Sequence, residues 1–567
     1  MLPAFRTVSE AIARVGEFYP EHDFVFQDMD GKETRYDFVH MERDTAARAA
    51  SLQALGLRKG DRIGVIVTEP EDFVLTFLAA LRVGVVPVPM YPPMSFASMD
   101  AYSDRTAKVL RQAEASAVIL SAKLLEPLAG LAAAVPSVRA MVLAHTLSNG
   151  GTPVYPEILP EDLAFLQYTS GSTADPKGVM VTHASLMANS KGIILEGLQL
   201  DAEKNDKGIS WLPLYHDMGL IGFVIAPLVH AISIVLIPTL RFVKRPSVWM
   251  DAVHRHRGTA SFAPNFAYGL ASRRVRAEEF ATWDLSCLRV LGCGAEPINA
   301  DTMREFTATF ERCGLPAHAI MPAYGMAEAT LAIALKPTYD VFSTLKADAE
   351  HFQSTGEVVA PGDGPALEFV ACGVPFVGHD VGAFDDAGTR LPEGREGELW
   401  FHGPSVTAGY FRNADATAAA FRADGWMRTG DLGFIRGGQV YITGRIKDLI
   451  IVNGRNVHPQ AVEWAVADVE GVRSGNVVAF SVTGAAGEDL VVAVETKDPD
   501  EERVTRDVRA AVQRELSLSV AHVVCLRSGA LPKTSSGKLQ RRKTRDEYLL
   551  GTLQVQKKKR TLESAAV

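Results

Sequence analysis

The chain has 567 residues, of which 47% are hydrophobic and 22% charged, enough to bury several cores and to fill two to four domain-sized units. Its formal net charge of −9 speaks against a nucleic-acid partner, which needs clustered Lys and Arg; the basic runs Arg541–Lys543 and Lys557–Arg560 read as a solvated face and a frayed tail. Its five cysteines (Cys287, Cys293, Cys313, Cys372, Cys525) include no Cys-x-x-Cys pair, which favours reduced thiols in a cytoplasmic protein over a disulfide scaffold or a zinc site.

The chain opens Met1-Leu-Pro-Ala-Phe-Arg-Thr7, with no basic stretch leading into an apolar one, so no signal peptide is expected. The first 160 residues alternate helical and strand patterns. A helix over Thr45 to Leu55 ends at Gly56, a buried strand covers Arg62 to Val67, an amphipathic helix covers Glu71 to Arg82, and a strand runs from Val85 to Pro89. Ala115 to Leu120 and Ala140 to Leu143 read as further strands. Such alternation implies parallel sheets covered by helices. The segment Gly219 to Pro238 is long enough to cross a membrane. Pro227, His230 and the β-branched run Ile232 to Ile237 favour a buried helix, a turn and a core strand, so no membrane span is expected. Ser233 to Pro238, Thr259 to Phe262 and Leu288 to Gly292 continue the parallel theme.

After Gly373 the texture changes. Glu396 to His402 and Val440 to Thr443 are short strands among Gly, Asp and Pro turns, as in a small barrel or twisted antiparallel piece. From Gly444 an α+β unit follows: helices over Pro459 to Val469 and Glu502 to Leu516, and strands over Asn476 to Ser481, Leu490 to Thr496 and Val523 to Leu526. A boundary near Arg445–Lys447 gives units 1–445 and 446–567, within the usual range of domain sizes.

One stretch carries the strongest chemical signal. Tyr168-Thr-Ser-Gly-Ser-Thr-Ala-Asp-Pro-Lys-Gly178 holds four Ser/Thr hydroxyls, two glycines and a lysine. Small residues let backbone N–H groups approach an anion, and Lys177 adds charge, so the loop suits a polyphosphate. It is not a Walker loop, because Gly178-Val179 follows the lysine. Cys293-Gly-Ala-Glu-Pro297 follows a strand and suits a flat ligand or a plain strand-to-helix turn. In Ala323-Tyr-Gly-Met-Ala-Glu-Ala329, Tyr324 suits purine stacking and Glu328 suits Mg²⁺; a capped helix start is the alternative. Arg428-Thr-Gly-Asp431 ends in a turn carboxylate able to accept ribose hydroxyls. Leu531-Pro-Lys-Thr-Ser-Ser-Gly-Lys538 is a second Ser/Thr/Gly/Lys loop.

The ordered series Thr169-Ser-Gly-Ser-Thr173, Tyr324-Gly-Met-Ala-Glu328, Thr429-Gly-Asp431, Gly444-Arg-Ile-Lys-Asp448 and Lys533-Thr-Ser-Ser-Gly-Lys538 resembles the adenylate-forming superfamily of acyl-CoA synthetases, adenylation domains and luciferases, over about residues 10 to 550. Within it, Trp211-Leu-Pro-Leu-Tyr-His-Asp-Met-Gly-Leu-Ile221, Val88-Pro-Met-Tyr-Pro-Pro93, Asn453-Gly-Arg-Asn-Val-His-Pro-Gln460 and Gly475-Asn-Val-Val-Ala-Phe480 look like fatty acyl-AMP ligases. One residue departs: His458 stands where such ligases often have Tyr.

The resemblance implies an α/β fold, with a large N-terminal domain of two αβα subdomains plus a distorted β-barrel, and a small mobile α+β lid. It implies ATP and Mg²⁺, a fatty acid substrate and an acyl carrier protein partner in polyketide, lipopeptide or lipid assembly. The alternative is transfer to free coenzyme A. It further implies roles residue by residue. Thr169, Ser170, Gly171, Ser172, Thr173 and Lys177 would hold the β- and γ-phosphates, and Glu328 the metal. Gly294, Ala295, Glu296, Tyr324, Gly325, Met326 and Ala327 would form the adenine slot, and Asp431 with Arg445 would take the ribose. Lys538 would be the adenylating lysine, Lys447 the hinge, and His216 a gate near the acyl carboxylate or a satisfied core histidine. The apolar run after Asp217 and the segment Phe262 to Leu270 would line the acyl pocket. Lys336 to Cys372 lies where that branch carries an extra segment bracing the lid; its composition fits a docking loop or a surface excursion.

Overall fold

The computed structural model describes residues 2–93, 99–149, 151–169, 176–452, 455–484, 488–534 and 537–553, with no side-chain description at 149 and 169. Ser170, Gly171, Ser172 and Thr173 of the first loop, the side chain of Thr169, and Asn453, Ser535 and Ser536 lie outside the described residues.

Two parallel sheets form the body of the large N-terminal domain. The first pairs Val86–Pro89, Arg62–Ile66, Ala115–Leu120 and Ala140–Leu143, all parallel. The second has nine strands, and its parallel centre is Ile320–Gly325, Val290–Cys293, Ala260–Ala263, Lys207–Ser210, Ser233–Leu236 and Asp23–Gln27. Asp23–Gln27 pairs on one side with its sequence neighbour Glu33–Asp37 and on the other with Ser233–Leu236, more than 200 positions on. Antiparallel strands close both edges: Glu33–Asp37 on one side, Ala332–Leu335 and Val374–Pro375 on the other.

The helix Pro70–Arg82 shows how local chemistry fits the layer. Proline opens it, Glu71 and Asp72 sit in its first turn and Arg82 in its last, all favourable to the helix dipole. Phe73 to Arg82 are buried, as expected of a helix enclosed on every side. Arg82 donates from Nη1 to the Glu42 carbonyl at 2.6 Å and from Nη2 to the Glu42 carboxylate at 2.7 Å.

The stretch 219–238 divides as its prolines and branching require. Helix Asp217–Leu220, a π-helical turn Ile221–Ile225 and helix Ala226–Val229 lead into the central strand Ser233–Leu236. Among the described residues, no helix is long and apolar enough to cross a membrane.

The third unit is an antiparallel sheet of Asp380–Phe384, Gly397–His402, Met427–Arg436 and Gln439–Arg445. The small C-terminal domain carries a three-stranded sheet, Val472–Thr483, Glu488–Thr496 and His522–Leu526, with helices Pro459–Ala467, Glu501–Leu516 and Arg541–Leu549. The segment between Lys336 and Cys372 is structured: the hairpin Thr344–Asp348/Ala366–Val370 encloses helix Ala349–Thr355. Its Phe352 and Phe369 share one apolar core with Phe434 and Tyr441 of the antiparallel sheet and with Ile450, Val457 and Val462 of the C-terminal domain. That burial makes it a docking element rather than a surface excursion.

Candidate active site

The site forms where strands of the large sheet end. Strands Val290–Cys293 and Ile320–Gly325 are parallel neighbours, so the turns following them lie side by side at their carboxyl ends, where open α/β sheets bind ligands. Close backbone packing demands the glycines there. A Cβ on Gly294 would fall 2.9 Å from the Ala323 carbonyl oxygen, and one on Gly325 2.0 Å from that of Leu331. Ala295 holds a φ of +68°, a conformation costly for a residue with a Cβ and commonly kept at ligand sites. Glu328 is not at a helix start; it sits in a 3₁₀ turn, Ala327–Ala329, before the returning strand Ala332–Leu335.

Asp431 lies within strand Met427–Arg436, not in a turn as the Thr-Gly-Asp pattern suggests, because Gly430 takes a φ of +71° and a bulge follows at Leu432/Gly433. Its carboxylate is buried and doubly held. The Tyr324 hydroxyl donates to Oδ2 at 2.9 Å, and Arg445 Nε lies 2.9 Å from Oδ1, its cross-strand partner in the register. Burial and the Asp431 charge push the Tyr324 phenol well above its ordinary pKa, so it stays a donor.

Glu328 is held from the opposite side. Tyr410 donates from its hydroxyl to Oε1 at 2.8 Å, and the Thr407 amide and hydroxyl donate to the Glu328 carbonyl at 3.0 and 2.9 Å. Burial raises the Glu328 pKa against the lowering effect of the Tyr410 bond. Lys177 Nζ stands 4.7 Å above the Tyr410 ring, a cation–π distance. The backbone registers Tyr168↔Gly178 and Thr169↔Lys177 close the base of the first loop, and Gly178 is needed because a Cβ would strike the Tyr168 ring at 2.8 Å. Tyr410 bore no sequence signal beyond its glycine neighbour Gly409, whose φ is +106°.

Lys538, from the C-terminal domain, reaches the same cavity. Burial lowers its pKa below that of an ordinary lysine, while Glu296, Asp217 and Asp431 act to raise it and Arg445 to lower it further. Glu296 is itself raised by burial, although its Oε1 accepts from the Phe266 amide at 2.9 Å. His216 Nδ1 lies 2.6 Å from Asp217 Oδ1. Burial would raise the Asp217 carboxyl, but His216 and Lys538 hold it below the usual range. The structure thus gathers His216, Glu296, Tyr324, Glu328, Asp431, Arg445 and Lys538 around one cavity of about 3440 Å³; Lys447 lines its edge, exposed in the 3₁₀ turn Ile446–Asp448.

Both predicted segments line that cavity, the first through Gly222 and Phe223 and the second through Phe262 and Leu270. Ile193 and Ile194, in a second π-helical turn Gly192–Gly197, also line it and were not anticipated. Such turns recur at functional sites, where the extra residue widens a helix beside a ligand. For magnesium, a single buried carboxylate with hard oxygen donors fits an ion that takes its remaining ligands from phosphates and water. Among the described residues there is no cluster of three or more His, Cys, Asp or Glu that would form an all-protein cage.

The family model for AMP-binding enzymes matches residues 12–411. A protein of Caulobacter vibrioides, provisionally named an acyl-CoA synthetase, is 38% identical over 91% of this chain and 90% of its own. The medium-chain-fatty-acid–[acyl-carrier-protein] ligase JamA of Moorena producens is 34% identical over 91% of this chain and 90% of its own. A solved fatty acyl-adenylate ligase, from work on the E. coli and L. pneumophila enzymes, superposes with a TM-score of 0.90 at 32% identity, covering 96% of this chain and 98% of that one.

Proposed function

The chain belongs to the AMP-binding enzyme family, and from that premise we propose that it activates a long-chain fatty acid with ATP and loads it onto an acyl carrier protein. A carboxylate oxygen attacks the α-phosphorus, the bond to the β-phosphate oxygen breaks, and pyrophosphate leaves with acyl-AMP formed. The phosphopantetheine thiol then attacks the acyl carbonyl, loses its proton, and AMP departs. Two anions meet in the first step, so charge neutralisation and in-line positioning are the main tasks.

The observation that carries this reading is the convergence of Lys538 with the Tyr324–Asp431–Arg445 cluster and Glu328 on one cavity. In this reading Asp431 takes the ribose hydroxyls, Tyr324, Gly325, Met326, Ala327 and the Gly294–Glu296 turn form the adenine slot, and Lys177 with Thr169–Thr173 receives the β- and γ-phosphates. Lys538 neutralises the acyl carboxylate and α-phosphate, and His216 faces the acyl end. Glu328 would hold magnesium, which supplies charge neutralisation at the phosphates when bound. Lys447 is the hinge about which residues 446–567 swing to withdraw Lys538 for the second step.

The carrier reading draws support from JamA, a ligase for an acyl carrier protein; the Caulobacter relative favours coenzyme A as the second reading. Incubation with ATP and fatty acid, followed by either a holo-carrier protein or coenzyme A, separates them. An intact-mass shift of the carrier by the acyl group is expected, and rapid acyl-CoA formation instead would overturn the carrier assignment.

The lowered pKa of Lys538 makes a second prediction. The lysine must carry its proton to neutralise the reacting anions, so kcat/KM for ATP falls as pH rises through that depressed value, below the range of a free lysine. Glu296, Asp217, Asp431 and Arg445 all face this group, so its limb reports the assembled cavity. Lys538→Arg should move the limb to higher pH; an unchanged limb would assign it to another group.

A further inference from the structure

One buried polar contact joins the two domains and has no part in the chemistry above. His458 stands at the N-cap of helix Pro459–Ala467, with Nε2 2.8 Å from Oε1 of Glu396. Their side chains are only 5% and 7% exposed. Thr443 donates its hydroxyl to the same carboxylate oxygen. In the tautomer with the ring N–H at Nε2, His458 donates to this oxygen, while Nδ1 is buried without a partner. The ring lies directly on Gly444, where a Cβ would come 2.4 Å from Nδ1. Glu396 is fixed in turn, donating its backbone N–H to the Gly356 carbonyl at 2.7 Å, at the end of helix Ala349–Thr355.

The side-chain contacts of His458 named above, Glu396 and Gly444, lie before Lys447, and His458 lies after it. Among the described residues this is the one histidine–carboxylate contact that crosses that boundary. The other polar contacts across it differ in kind: Arg273 Nη1 meets Ser474 Oγ at 3.1 Å on exposed surface, and Arg455 bonds the Gln353 amide. Buried polar pairs contribute little net stability compared with apolar packing, yet a mispaired arrangement is costly, so they specify register. Here the register is that of the lid, and with the lid seated this way Lys538 lines the cavity.

We propose that His458 is a positioning residue, and that with Glu396 and Thr443 it forms a latch holding the lid in the pose that inserts Lys538. The strength of this latch sets how turnover divides between making acyl-AMP and handing it on. The inference rests on the lid rotation proposed above. Breaking the latch penalises the step that needs the seated lid and spares the step that needs it turned.

The test uses the full chain with His458→Ala, His458→Gln and Gly444→Ala. His458→Ala should slow ATP-dependent acyl-AMP formation at least tenfold, while transfer from supplied acyl-AMP to a holo-carrier protein stays unchanged or quickens. His458→Gln, whose amide can donate to Glu396, should recover most of the first rate. Equal losses in both half-reactions, or a wild-type first rate in His458→Ala, would overturn the latch. If His458→Ala fails to fold, Gly444→Ala gives the same reading, since it displaces the ring without altering either partner. Hydrogen exchange decides without activity: amides over 396–402 and 457–467 should exchange faster in the variant, and unchanged exchange would overturn the proposal. Should the wild type make no acyl-AMP from any acid, the functional reading fails and the exchange result still judges the latch.

Discussion

Lys538→Ala should lower the rate of acyl-AMP formation by about two to three orders of magnitude, equivalent to about 2–4 kcal/mol for one preorganised electrostatic contact. The ammonium is half-buried among Asp217, Glu296 and Asp431, and burial depresses its pKa, so it acts where water does little to screen it. It stands on the C-terminal domain, whereas the groups assigned to adenine and ribose stand on the large domain. Removing it should therefore leave MgATP affinity within about twofold while abolishing ATP–pyrophosphate exchange by the factor above. Transfer from supplied acyl-AMP should persist, because the proposed lid rotation withdraws this residue before that step. Isothermal titration for affinity and exchange for rate separate the two effects. A wild-type exchange rate would refute the role given to Lys538, and an equal loss of affinity would make it a ground-state ligand.

Much of the fold was legible because its strands are short, apolar and bounded by glycine or polar residues. Ala115–Leu120 and Ala140–Leu143 fall where the pattern puts them. Asp23–Gln27 did not stand out, and no local pattern could show that it joins a strand at 233–236, since sheet membership is a long-range property. The site was legible as a set of motifs but not as an arrangement. Tyr324 and Glu328 are four apart, which suits a helix, yet Gly325 packs on the Leu331 carbonyl and forces a strand, a 3₁₀ turn and a reversal. Asp431 looked like a turn residue because Gly430 precedes it; the glycine instead serves a bulge that aims the carboxylate at Tyr324. Tyr410 was invisible, being a lone aromatic whose meaning lies in contacts 82 positions away. His458 did stand out as a departure, but only its seat against Glu396 and Gly444 gives that departure a consequence.

The same arrangement makes Glu328→Gln the second large effect. The substitution keeps the shape and an oxygen that can accept from Tyr410, and it removes the charge. The backbone should hold its position, for Thr407 pins the Glu328 carbonyl and Thr330 donates to the Ser405 carbonyl at 2.7 Å. Thr330 adopts a φ of +69°, rare for a β-branched residue and tolerated where surrounding contacts over-determine the turn. A neutral amide is a poor ligand for a hard dication, so acyl-AMP formation should fall about 10²-fold at fixed magnesium, and half-saturation should need at least about tenfold more of the metal. Tyr410→Phe provides the contrast. It leaves the carboxylate but removes its donor, so the metal requirement should change little and the rate should fall less than about tenfold, as for one hydrogen bond. Magnesium titrations of ATP–pyrophosphate exchange with both variants measure this. If Glu328→Gln keeps the wild-type magnesium dependence, Glu328 is not the metal's ligand, and its bond to Tyr410 serves only to brace the ring beneath Lys177.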